Sequence, residues 1–186
     1  MNDTQRTILG RRTVHKYTGA PLPEGALERA LECALRAPNH KLTNPWRFTR
    51  LGPQARAAVT ELGVSLKAAK AGDRWSPRRE GLVRAKLSDP AELVVVSQVI
   101  VPDPFVRRED YAAVACAIQN ASLSLWSEGV GSKWSSGGVT SHARTYALCG
   151  IDPEAEEIVG FLWMGVAEVV PDPVRDPLDE VFRVIP

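Results

Sequence analysis

Three polar clusters in this 186-residue chain combine side chains able to hold an anion or the polar edge of a ring. The first is Arg11-Arg12-Thr13, followed by His15 and Lys16, which gathers two guanidinium forks and a hydroxyl within three residues. That set can grip a phosphate through charge-assisted hydrogen bonds. It suits a solvated basic end equally. The second cluster runs Arg36-Ala37-Pro38-Asn39-His40-Lys41 and leads into Asn44-Pro45-Trp46-Arg47-Phe48. Arg36 is a cation at a helix C-terminus, where the macrodipole already favours it. His40 lies in a polar, proline-flanked connection, and an exposed imidazole there can donate to a ligand. The third cluster, Lys133-Trp134-Ser135-Ser136-Gly137-Gly138, suits a loop laid against a flat ring, or an ordinary Gly/Ser turn anchored by its Trp.

The elements that must position these clusters are read from periodicity. Leu27, Ala30, Leu31, Ala34 and Leu35 fall at helical spacing within Gly25 to Arg36, with Pro38 just beyond. Gln54 to Ala71 is more weakly helical. Ala71 to Pro90, rich in Gly, Pro, Arg and Lys around Trp75, reads as a surface excursion and a candidate substrate cover. Glu92 to Val101, bounded by prolines, has the profile of a central strand buried on both faces. After a turn at Pro102-Asp103-Pro104, Glu109 to Glu128 reads as a helix apolar nearly all round and therefore buried. The glycines of Gly129 to Gly138 suggest a loop. Ser141 to Cys149 reads as a short helix ended by Gly150. Ile158 to Val170 reads as a strand, with Gly160 and Gly165 at points of close approach. The Pro- and Asp-rich tail beyond Pro171 does not suit an internal strand, and is expected to wrap over a neighbour. The order implies an α+β or three-layer domain around a modest sheet.

Large function classes fall away. There is no GxxxxGK[ST], HExxH or GxSxG, and GVGSKW carries Trp134 where a dinucleotide fingerprint needs its third glycine. Twenty-three Lys and Arg against 22 Asp and Glu leave a net charge of +1, which provides no global field for nucleic acid or acidic lipid. The three cysteines, Cys33, Cys116 and Cys149, show no metal spacing or disulfide pattern, which fits a reducing cytoplasm. The first twelve residues do not read as a signal peptide, and no stretch is long and apolar enough to span a membrane.

Taken in order and separation, the three clusters resemble the FMN-dependent nitroreductase family, and the likeness is closest to its short bacterial NAD(P)H nitroreductases. Arg11-Arg12-Thr13 is similar to the family's RR[ST] triplet, and RAPNHKLTNPWRF at 36–48 to RAP-(D/N)-HK-x-x-(Q/N)-PW-x-F. GSKWSSGG and IVGFLWMG resemble the WRSGA-type loop and the closing VGFLYLG strand.

The resemblance implies one domain over residues 1–186, a nitroreductase-like three-layer α/β/α sandwich with a mixed, mainly antiparallel central sheet. It also implies FMN as cofactor, NADH or NADPH as donor, and ping-pong transfer to nitroaromatic, quinone or similar acceptors. The flavin performs the difficult chemistry, so no catalytic side chain is required. Arg11, Arg12, Thr13, Trp134, Ser135 and Ser136 would hold FMN from one subunit of a homodimer. Arg36 and His40 would reach it from the other. The cysteines become packing residues. Three departures stand out: Ser135 replaces the usual Arg, His15 replaces Arg or Lys, and Asn44 replaces Gln. The first two reduce fixed positive charge near the expected phosphate, which keeps two alternatives open: a flavin-binding protein without turnover, and a specialised flavin-dependent dehydrogenase.

Overall fold

The computed structural model of the chain describes residues 1–185. Its elements are α1 (Asp3–Gly10), α2 (Ala26–Ala34), β1 (Trp46–Arg50), α3 (Pro53–Ala71), α4 (Pro77–Ser88), β2 (Glu92–Val99), α5 (Pro104–Ser127), β3 (Val130–Ser135), α6 (Ala143–Cys149), β4 (Glu156–Val166) and α7 (Leu178–Val181). The strands form one sheet in the order β1-β2-β4-β3, and each pairing is antiparallel. Among the described residues, parallel pairing occurs only at the isolated bridge between Thr13 and Ser132.

The apolar run of β2 is continuous because the sheet is covered on both sides. Alternate side chains of a strand point to opposite faces. Val94 and Val96 of β2, with Leu162 and Met164 of β4, pack against α2 and α5. Leu93 and Val95, with Phe161 and Trp163, pack against α3 and α6 on the other side. The three-layer α+β arrangement implied by the sequence is therefore the one the chain adopts.

The structure corrects three sequence readings and extends two others. Gly129 to Gly138 is not simply a loop, because Val130–Ser135 is the edge strand β3. Its glycine marks a close approach: a Cβ on Gly131 would lie 2.5 Å from Val14 Cγ2, so only glycine lets the chain after α1 lie against β3. The helix expected from Glu109 begins earlier, at Pro104, because Asp103 caps it by accepting from the Phe105 and Val106 amides. Nor is α5 buried all round. Ala113, Val114, Ala117 and Ile118 are buried, whereas Phe105, Tyr111 and Cys116 are exposed. Ala71 to Pro90 is largely ordered into α4, capped by Ser76 and joined to α3 by the Arg84–Glu61 ion pair. Finally, β1 and the N-terminal α1, which is held by an Asn2–Gln5 capping box, were not anticipated.

Candidate functional site

The chain leaving α1 runs extended beside the sheet. The Val14 amide donates to Ser132 O and the Thr18 amide to Val166 O, both at 3.0 Å. Val14 and Tyr17 anchor the segment in the interior, and the Tyr17 hydroxyl donates to Val14 O at 2.9 Å. Burial pushes the Tyr17 phenol well above its ordinary pKa, so it remains protonated. Between these anchors His15 stays exposed. Burial, then Lys133 and Lys86, pull the His15 imidazole below its usual pKa.

Lys133 lies opposite Trp163 across the β3–β4 ladder, which places it on the α3/α6 face of the sheet. Burial, reinforced by Lys86 and Lys67, pushes its ammonium down to about 8. No carboxylate pairs with Lys133, Lys86 or Lys67 among the described residues. A cavity of about 510 Å³ brings these three lysines together with Lys70, Ser135 and Ser136. Trp163 lies in its wall and donates from Nε1 to Ser135 Oγ at 2.8 Å. The turn after β3 is fixed by Thr140, whose Oγ1 accepts from the Gly137 amide at 2.7 Å. A Cβ on Gly137 or Gly138 would meet no atom within 4 Å, so this part of the wall is open. Unpaired cations, hydroxyls, an indole and an open glycine surface suit an anionic ligand with a flat ring, and FMN is such a ligand.

The first cluster divides its work. Arg12 donates to Leu9 O at 2.6 Å and to Asp172 at 3.2 Å, closing the end of α1 and tying down the start of the tail. Burial, followed by Arg175 and Arg12, lowers the Arg11 guanidinium from its ordinary pKa, and no carboxylate pairs with Arg11 among the described residues. Thr13 bridges Ser132, the residue before Lys133. Trp134 lies opposite Leu162 and so belongs to the other face of the sheet. It does not line the cavity that holds Ser135 and Ser136.

Arg36 and His40 are exposed beyond the end of α2, in the layer on the other side of the sheet from that cavity. The His40 loop carries three non-glycine residues in the left-handed region: Lys41 (φ 55), Leu42 (φ 52) and Asn44 (φ 47). Such conformations need outside support. Asn39 Nδ2 donates to Thr43 Oγ1 at 2.8 Å, and Asn39 Oδ1 accepts from the Asn44 amide at 2.7 Å. Thr43 in turn donates to Asp110 Oδ1 at 2.6 Å. Asp110 is 2% exposed, and its Oδ2 has no partner.

One chain thus lays the first cluster beside β3, which leads into the third, and leaves the second apart; Arg11, Arg12 and Thr13 do not themselves line the lysine cavity. Sequence reasoning missed Lys67, Lys70 and Lys86, which lie far from either motif along the chain. It also missed Asp110, whose one signal was a carboxylate inside an otherwise apolar helical run. No group of three or more His, Cys, Asp or Glu among the described residues is placed to hold a metal, and no helix among them is long and apolar enough to cross a membrane.

This scaffold and site define a class that comparison with known proteins identifies. The chain belongs to the nitroreductase family, whose sequence model matches residues 8–166. YfhC of Bacillus subtilis (strain 168), provisionally named an NAD(P)H nitroreductase, is 26% identical over 180 residues, covering 94% of this chain and 92% of its own. A nitroreductase-like family protein from Bacillus cereus superposes with a TM-score of 0.83 at 26% identity, covering 100% of this chain and 97% of that one. A provisionally assigned nitroreductase from Desulfovibrio desulfuricans, solved in complex with FMN, gives a TM-score of 0.76 at 20% identity, covering 100% and 98%. At that identity the likeness speaks to the fold.

Proposed function

We propose that the chain is a single FMN-binding domain over residues 1–186, working as an oxidoreductase in a cytoplasmic homodimer. The observation that carries this reading is the cavity beside Lys133, where several lysines meet without a carboxylate. When bound, FMN supplies the redox chemistry, taking reducing equivalents from NAD(P)H and passing them in ping-pong order to nitroaromatics, quinones or similar acceptors.

The protein's part is binding, orientation and charge. Arg11 and Thr13 hold the phosphate, with Arg12 fixing the segment that presents them. Lys133 and Lys86 balance negative charge, while Ser135, Ser136 and the glycine turn face the ring system. Trp134 borders the same loop from the opposite face of the sheet. Arg36 and His40 act on the flavin of a second copy, which accounts for their separation from the cavity within one chain. Exposed Phe105 and Tyr111 on α5, and Val174, Phe182 and Ile185 on the tail, support such pairing.

Flavin analysis of the purified protein tests this reading. We expect one released FMN per protomer, or stoichiometric uptake on reconstitution. A protein that neither contains nor takes up FMN would overturn it.

A further inference from the structure

We infer that a second cavity, between α3 and α4, receives the adenylyl end of NADPH and recognises its 2′-phosphate, making NADPH the preferred donor. The cavity measures about 370 Å³ and is lined by Lys67 and Lys70 of α3, Arg74 and Trp75 of the following turn, and Arg79 of α4. No acidic residue lines it, and none of its four cations joins an ion pair among the described residues. Nearby cations are elsewhere consumed: Arg84 pairs with Glu61 and Glu80, and Arg50 with Glu92. Four unpaired cations thus share one cavity with a single indole, and two of them, Lys67 and Lys70, also border the cavity of Lys133 and Lys86.

The pairing of residue types is informative. Trp75 is half-buried and supplies a flat face of the kind on which a nucleobase stacks. Arg74 and Arg79 stand exposed beside it, with guanidinium forks suited to a phosphate monoester dianion. Lys67 and Lys70, spaced i and i+3 on one face of α3, line both this cavity and the one containing Lys133. A dinucleotide whose nicotinamide reaches the first cavity would carry its pyrophosphate past the shared lysines and its adenosine to Trp75. NADPH differs from NADH only by a phosphate on that adenosine ribose, where Arg74 and Arg79 are found.

The choice of dinucleotide rests on the oxidoreductase reading above, but the test works on the protein whatever its flavin content. Isothermal titration with 2′,5′-ADP is compared with 5′-AMP and with inorganic phosphate. We expect 2′,5′-ADP to bind about tenfold or more tightly than either, and this preference to vanish in an Arg74→Gln/Arg79→Gln variant. Trp75→Leu should weaken both nucleotides. In flavin-loaded protein the double variant should raise KM for NADPH about tenfold while KM for NADH changes less than about twofold and flavin content stays constant. Equal binding of 2′,5′-ADP and 5′-AMP, displacement by phosphate at matched concentration, or wild-type preference in the double variant would overturn the subsite. Selective 2′,5′-ADP binding by a protein unable to hold FMN would uphold the subsite and refute the flavin reading instead.

Discussion

Thr43 donates its hydroxyl to Asp110 Oδ1 at 2.6 Å, tying the strained loop that carries His40 to the buried face of α5. The bond joins residues 67 positions apart and continues through Asn39 to the Asn44 amide. A carboxylate that is 2% exposed depends on that donor.

Thr43→Val removes the hydroxyl at nearly constant volume and leaves Asp110 without the one side-chain donor it has among the described residues. We expect a loss of about 1–3 kcal/mol in stability, the usual cost of an unsatisfied buried acceptor. Urea unfolding measures it, and a change below about 0.5 kcal/mol would show that the link carries little.

Lys133 sets a pH dependence. Its value in the folded chain, about 8, lies below the ordinary 10.5, so burying the charged amine costs stability at lower pH. Unfolding takes up a proton between those two values, and the penalty fades as pH rises through that window. Lys133→Met should therefore gain most on the wild type at neutral pH, with the gain shrinking as pH rises from about 8 to 10.5. FMN affinity should move oppositely, weakening above about pH 8 as the amine loses its charge, whereas the variant stays flat. Parallel pH series of denaturation and FMN titration read both effects.

The two adjacent arginines should separate in their consequences. Arg11→Ala is expected to weaken FMN binding by about 1.5–3 kcal/mol, or roughly ten- to hundredfold, with little change in folding. Arg12→Ala releases Leu9 O and Asp172, so it should loosen α1 and the start of the tail, read as faster amide exchange there. Identical effects of the two substitutions would contradict this division.

A site shared between subunits predicts complementation. Arg11→Ala and His40→Ala homodimers should each bind flavin poorly. After mixing, unfolding and refolding, half the dimers are mixed and each contains one intact site, so about a quarter of all sites should regain full affinity. No recovery would place both residues on the same site of one chain.

The layered core was legible because β2 is a near-continuous apolar run and α2 keeps helical spacing to its end. β3 was not, since the glycine that lets Val14 approach at Gly131 has the same appearance as loop punctuation. The start of α5 was hidden by Pro102-Asp103-Pro104, which caps a helix as readily as it makes a turn. For the site, Arg11, Thr13, Ser135 and Ser136 could be nominated from local chemistry. Lys67, Lys70 and Lys86 could not, because only the packing of α3 and α4 beside β3 brings them to Lys133. Asp110 acquires its role from Thr43 across the fold, and no local pattern announces such a contact.

The central claim, electron transfer through bound FMN, is tested most directly by following the visible spectrum of the flavin-loaded protein during anaerobic addition of NADPH or NADH. We predict that absorbance near about 450 nm bleaches on donor addition and returns when a quinone or nitroaromatic is supplied. A bound flavin that neither donor bleaches would contradict the account and favour a protein that binds FMN without turnover.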